Sequence, residues 1–254
     1  MLEIRGLTKC YRKIPALENA TFTARAGEVT GYLGPNGSGK STTIKIVTGL
    51  MEPDEGQVLW CGRNTRSDLD SFKASMGYVP EEPHLYLHLS GAEYLELSGR
   101  LRGIPDSRLR PKIGGFLDLL GLYEDRHSLL SGYSKGMRQK ILLAGALLHD
   151  PELVILDEPF TGLDVASTLV LRRLIQSLAE AGKTVLFSSH ELDLVERIAH
   201  HVVILAKGRV VANDTMANLR SQPAAPTLEH VFRQLAVSTD PDAIAGRAIE
   251  VMRA

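Results

Sequence analysis

Eight consecutive residues, Gly34-Pro35-Asn36-Gly37-Ser38-Gly39-Lys40-Ser41, have the types and spacing of a loop that holds polyphosphate. The glycines let the main chain curl so that successive N–H groups point inward at phosphate oxygens. Lys40 supplies a fixed positive charge for the β- and γ-phosphates, and Ser41 a hydroxyl that can ligate Mg²⁺. Thr42 continues the first turn of the helix that the loop opens, whose dipole favours an anion at its start. Further along, Leu153-Val154-Ile155-Leu156-Asp157-Glu158 is an apolar strand ending in two carboxylates. Asp157 would reach a Mg²⁺ shell, and Glu158 is placed to polarise a water for attack on a γ-phosphate.

Such groups need a rigid frame, and the sequence predicts an α/β one. Residues 2–33 read as short strands, the last being Val29–Leu33. A helix follows the glycine loop, with Ile44, Val47 and Leu50 on one face. Residues 66–148 read as mainly helical, with Ser90-Gly91-Ala92-Glu93 as a capping box and a helix over Lys135–His149. After Asp150-Pro151 the rhythm alternates: strand 153–156, helix Asp164–Ala181, strand 185–187, helix Glu191–His200, strand 202–205. Continuous apolar strands between helices imply a parallel sheet covered on both faces.

The 254 residues suffice for one large domain or a domain with a small extension. A net charge of −1, with basic residues dispersed, provides no field for nucleic acid. Cys10 and Cys61 are too few for a disulfide framework. No apolar run approaches the roughly 18 residues of a membrane span, so a transport role would need a separate membrane chain. None of the eight histidines has metal-ligand spacing; His200-His201 reads as a helix-to-strand junction and Trp60 as a packing residue.

Further segments resemble ABC ATPases. Tyr133-Ser134-Lys135-Gly136-Met137 resembles a variant of the family signature usually written LSGGQ. Thr161-Gly162-Leu163-Asp164 resembles the D-loop, His190 the switch histidine, and Gly77-Tyr78-Val79-Pro80-Glu81 the segment ending in the Q-loop. Tyr11 stands where the family has an aromatic that stacks on adenine. The resemblance covers about residues 2–212. It implies a P-loop NTPase fold: a RecA-like parallel core, an antiparallel β subdomain and an inserted helical subdomain near 86–148. An ATP-binding domain would run over 1–220, with a C-terminal extension over 221–254.

The resemblance also implies a mechanism. Two subunits, alike or different, stack head to tail and trap ATP with its Mg²⁺ between the P-loop of one and the signature of the other. Ser134, Lys135 and Gly136 would act in trans, beside Asp164 of the D-loop. Glu158, His190 and Glu81 would serve hydrolysis; Ser41, Asp157 and Glu81 would surround the metal. Two departures stand out: Glu81 replaces the usual Gln, and Lys135 and Met137 replace the usual Gly and Gln. Ser131, in Leu130-Ser131-Gly132, is a rival signature serine by letters. Ser134 fits the family spacing, 23 positions before Asp157, and is the better helix cap.

The family's usual partner is a membrane-spanning permease, which would place this chain peripherally on the cytoplasmic face of the membrane. Pro80–Tyr86 and Thr227–Phe232 resemble exporter-type subunits. The alternatives are a soluble ABC ATPase acting on ribosomes or DNA, and a small-molecule P-loop kinase. One P-loop and no sustained heptads speak against the first, and the signature, D-loop and switch histidine together speak against the second.

Overall fold

The computed structural model describes residues 1–221, 227–236, 247 and 250–252. Much of the expected extension, with Pro223, Pro226 and Pro241, lies outside the described residues. The strands are β1 (Leu2–Tyr11), β2 (Ile14–Ala24), β3 (Val29–Leu33), β4 (Glu55–Trp60), β5 (Arg63–Asn64), β6 (Met76–Val79), β7 (Leu153–Leu156), β8 (Thr184–Ser189), β9 (His201–Ala206) and β10 (Arg209–Thr215). The helices are α1 (Lys40–Val47), α2 (Leu69–Ser75), α3 (Gly91–Leu101), α4 (Asp106–Leu119), α5 (Lys135–Leu147), α6 (Val165–Glu180), α7 (Leu192–Ile198), α8 (Met216–Arg220) and α9 (Leu228–Ala236).

Two sheets share one interior. The first is antiparallel, in the order β2-β1-β4-β5; the second runs β10-β9-β3-β8-β7-β6, parallel except where β10 returns along β9. Leu2, Ile4 and Phe22 of the first sheet pack with Ile155 and Leu186 of the second and with Ile44 of α1. Phe22 stacks on Tyr32 with ring centroids 5.0 Å apart. The strands of the parallel core are mainly apolar, and β7 and β8 are buried throughout.

Two sequence expectations change. The short strands of residues 2–33 are in fact a long hairpin, β1 and β2, followed by β3. Register shifts interrupt the hairpin's alternation, with Asn19 at φ 52°, and this disguises its length. The turn is made by Arg12 and Lys13, both at positive φ. Within the stretch read as helical, Met76–Val79 is a strand that pairs in parallel with Leu153–Leu156 at the sheet edge. Four apolar residues are too few for periodicity to reveal.

Helices α3, α4 and α5 form a separate apolar cluster that includes Leu95, Leu109, Leu117, Leu130 and Ile141. The expected capping box opens α3: Ser90 Oγ accepts from the Glu93 N–H at 3.3 Å, and Glu93 Oε2 accepts from the Ser90 N–H at 2.8 Å. The Ser90 N–H and then the Ser90 hydroxyl, both donating to Glu93 Oε2 at 2.8 Å, hold the Glu93 carboxyl below its ordinary range. Helix α9 adds Leu228 and Val231 to the core beneath α7 and β9. Ser90 is buried, so Ser90→Ala removes a cap and leaves an N–H unpaired. The variant should lose about 1 kcal/mol of unfolding free energy in urea titrations, with an unchanged slope.

Candidate functional site

Strand order brings the chemistry together. Strand β8 lies between β3, which feeds the glycine loop, and β7, which ends in Asp157-Glu158. The carboxyl end of β8 therefore delivers Ser188, Ser189 and then His190 between the loop and the acids. In an open α/β sheet this end of the parallel strands is where ligands bind.

On the loop side, Gly39 has φ 110°, and a Cβ there would overlap the Ala16 carbonyl oxygen. Gly39 caps α1 without any side-chain bond, and no acid lies in the first turn, so the helix start is open to an anion. Lys40 is only 7% exposed. Its Nζ donates to the Gly34 carbonyl at 2.6 Å and lies 4.0 Å from Glu158 Oε1. Tyr32 Oη and Thr43 Oγ1, 2.9 Å apart, tie β3 to α1 and fix the loop from below.

On the acidic side, Ser188 is the connector. Its hydroxyl donates to Asp157 Oδ1 at 2.6 Å and accepts from the Glu158 N–H at 2.9 Å. Burial pushes the Asp157 carboxyl above its ordinary range; the Ser188 bond opposes this, and the charges of Glu81 and Glu158 add to it. Tyr78 is pushed up to about 12 by burial and then by Asp157 and Glu81. Glu158 sits at φ 47°, a strained conformation for a non-glycine residue that costs about 1–3 kcal/mol. Its Oε2 meets His190 Nδ1 at 2.8 Å.

Three carboxylates thus act on a neighbourhood with one buried lysine. That surplus of negative charge, with the Ser41 hydroxyl at the helix start, fits a small hard divalent cation arriving with a polyphosphate. No cluster of three or more His, Cys, Asp or Glu suited to a metal occurs among the described residues. Magnesium needs none, because it takes one or two carboxylates and completes its shell with phosphate oxygens and water.

A family model described as ABC transporter matches residues 17–161. The chain belongs to the ABC transporter family. It is 40% identical over 222 residues to an uncharacterized ABC transporter ATP-binding protein of Nostoc sp. (strain PCC 7120), covering 84% of this chain and 66% of that protein. It is 35% identical over 220 residues to the daunorubicin/doxorubicin resistance ATP-binding protein DrrA of Streptomyces peucetius, covering 87% of this chain and 67% of that one. A solved ATP-binding subunit of an ABC transporter superposes with a TM-score of 0.86 at 33% identity, over 92% of this chain and 98% of the other. The dimeric bacterial ABC transporter cassette MJ0796 gives 0.79 at 26% identity, over 85% and 99%.

As an ABC ATPase, the chain divides its expected site residues among several places. Asn36, Gly37, Gly39, Lys40, Ser41, Thr42, Glu81, Glu158 and His190 line one cleft of about 280 Å³. Gly34, Pro35 and Ser38 support it from the loop, and Asp157 lies behind it, 5% exposed. Tyr11 stands apart on the β1–β2 hairpin, its hydroxyl donating to Met51 Sδ at 3.1 Å. Ser134, Lys135, Gly136 and Asp164 are outside the cleft wall. Ser134 caps α5, accepting from the Met137 N–H at 3.2 Å, whereas Ser131 lies in a single helical turn over Leu130–Gly132. Asp164 caps α6 rather than beginning it, because both its oxygens bond Ser167. The carbon stem of Lys135 crosses Gly162, at φ 79°, where a Cβ would come within 3.0 Å of it.

Two residues in or behind the cleft escaped the sequence reading, Ala16 and Ser188, while Thr161, read there only as the start of the D-loop segment, joins the cleft wall. For Ser188 a signal existed, since two serines end an otherwise apolar strand just before His190. Because the folded-state pKa of Asp157 is raised above its unfolded value of about 3.9, its contribution to stability is fully present below that value. It is lost as pH rises through the folded value. Asp157→Asn keeps the acceptor for Ser188 and removes the charge. In nucleotide-free protein its Tm should exceed that of the wild type, with a margin that widens from about pH 4 toward neutrality in thermal scans.

Proposed function

We propose that the chain is the ATP-binding and ATP-hydrolysing subunit of an exporter, working as a pair on a separate membrane-spanning partner. The observation that carries the reading is Glu158, held between Lys40 and His190 at the mouth of the glycine loop. The loop N–H groups and Lys40 would hold the β- and γ-phosphates, and Tyr11 would stack on adenine. Ser41, Asp157 and Glu81 would hold the Mg²⁺ that comes with the nucleotide and screens its charge.

Glu158 would take a proton from the attacking water as its oxygen bonds the γ-phosphorus. The bond to the β–γ bridging oxygen breaks, releasing ADP and phosphate. His190 would share that proton's charge through its bond to Glu158 and contact the γ-phosphate. Asp157 is already bound to Ser188 and sits behind the cleft, so it suits the metal rather than the water. The second subunit would supply Ser134, Lys135 and Gly136 to the γ-phosphate, with α5 directing its free N–H groups the same way.

Export is favoured by the exporter-like segments at 80–86 and 227–232 and by the likeness to DrrA, whose name associates it with drug resistance. A membrane partner is favoured because no helix among the described residues is long and apolar enough to cross a membrane. In inside-out vesicles containing the membrane partner, ATP should drive cargo inward. Glu158→Gln should bind ATP normally, accumulate as an ATP-loaded dimer on size exclusion, and lower turnover by about 10²–10⁴-fold. Wild-type turnover would remove Glu158 from this role; accumulation only in right-side-out vesicles would reverse the direction. Co-purification with ribosomes or DNA instead of a membrane chain would replace the transporter reading.

The register of the signature is tested separately. Ser134→Arg should abolish ATPase activity and leave nucleotide binding by the monomer within about twofold, because it blocks only the surface offered to the partner. Ser131→Ala should keep nearly full activity. Steady-state kinetics of the two variants decide between the serines, and the opposite pattern would move the signature to Ser131.

A further inference from the structure

Lys135 stands in the signature where the family usually has glycine, and its stem has a fixed place to lie. A Cβ built on Gly162 would come 3.0 Å from Lys135 Cδ, 3.4 Å from Cε and 3.5 Å from Cγ. Gly162 is at φ 79°, a left-handed conformation that favours glycine. The same glycine meets the next residue as well: a Cβ on Gly136 would come within 3.3 Å of the Gly162 carbonyl oxygen. The two glycines thus let the start of α5 approach the Thr161–Asp164 segment closely. Lys135 as a whole is exposed, so its methylenes lie on Gly162 and leave the ammonium at the surface.

The segment under that stem leads back to the acidic pair. The Leu163 N–H donates to the Phe160 carbonyl at 3.2 Å, and the Thr161 N–H donates to the Glu158 carbonyl at 3.2 Å. Overlapping turns therefore run from Glu158 to Leu163, and Gly162 belongs to the second. Thr161 lines the nucleotide cleft. Phe160 is buried and meets Phe187 edge-on, with ring centroids 6.2 Å apart, which anchors the middle of the segment to β8. Glu158 holds its conformation at φ 47°, and such strain persists only where the surroundings over-determine it. Ser188 accepts its N–H, and the Thr161 N–H meets its carbonyl. A shift at Gly162 thus reaches Glu158 through one hydrogen-bonded turn.

We propose that Lys135 is a positioning residue for hydrolysis in its own chain: its stem, packed on Gly162, holds the turns that set Thr161 and Glu158. Glycine at 135 would leave Gly162 without this contact. The same lysine belongs to the surface offered to the partner's γ-phosphate, so one side chain joins the two half-sites that each subunit carries. That second role rests on the paired reading given above, whereas the packing on Gly162 does not.

Lys135→Ala removes the stem and keeps a good helix former, while Lys135→Met keeps the length of the stem and removes the charge. In nucleotide-free protein with labelled threonine methyl groups, Lys135→Ala should displace the Thr161 resonance in NMR spectra, and Lys135→Met should leave it at the wild-type position. ATP binding by the monomer should stay within about twofold in both, since residue 135 is outside the cleft wall. In steady-state kinetics Lys135→Ala should lower kcat about five- to twentyfold. Lys135→Met should recover most of that kcat with a raised KM for ATP, because the charge offered to the partner is gone. Gly162→Ala should cost less kcat in the Lys135→Ala background than in the wild type, because the stem it would strike is absent. The proposal is overturned by a Thr161 resonance that does not move in Lys135→Ala, by equal kcat values for Lys135→Ala and Lys135→Met, or by additive effects of Gly162→Ala and Lys135→Ala. Failure of the paired reading shows differently: Ser134→Arg would stay active while the Thr161 resonance still moved in Lys135→Ala.

Discussion

Asp157 is a carboxylate withdrawn from water and placed beside two others, and a single serine hydroxyl holds it there. Ser188 orients the buried acid and also receives the N–H of Glu158. One oxygen atom thus fixes both ends of the acidic pair. It can do so because β8 is inserted between β3 and β7. Had β7 paired directly with β3, neither Ser188 nor His190 would reach the acids from the strand between them. The strand order is therefore a condition of the chemistry as well as of the packing.

The same region concentrates several unfavourable features: a raised carboxyl, a strained Glu158 and a helix start without a side-chain cap. Each is costly in the isolated protein, and under the proposed roles each would be relieved or used by a polyphosphate bearing a divalent cation. The surrounding core is strong enough to hold them. Strands β7 and β8 are buried throughout, and Tyr32 anchors the loop helix from below. Stability is thus located beneath the cleft, and the strain at its surface.

Much of the architecture was legible because its signals are local. The glycine loop, the Ser90 box, the Ser134 cap and the apolar strand before Asp157 each declare themselves within a few residues. What was missed depends on distant partners. Strand β6 is short and becomes a strand by pairing with β7, more than seventy positions later. The length of β1 and β2 was hidden by register shifts that break the period-two pattern. Ala16 enters the cleft because its carbonyl closes on Gly39, which no spacing rule encodes. Ser188 was within reach of a reading that asked why a buried strand should end in two hydroxyls.

The Ser134 cap and the glycine loop lie on different walls of the same chain. Under the proposed roles, one polypeptide carries two complementary halves of a catalytic site and cannot join them to each other. Turnover by the dilute, isolated chain would then be second order in protein, since every productive encounter needs two copies. A membrane assembly that binds two copies side by side replaces that encounter with an effective local concentration. The order of the reaction would fall to one, and the rate would become a property of the assembly rather than of how much free subunit the cell contains.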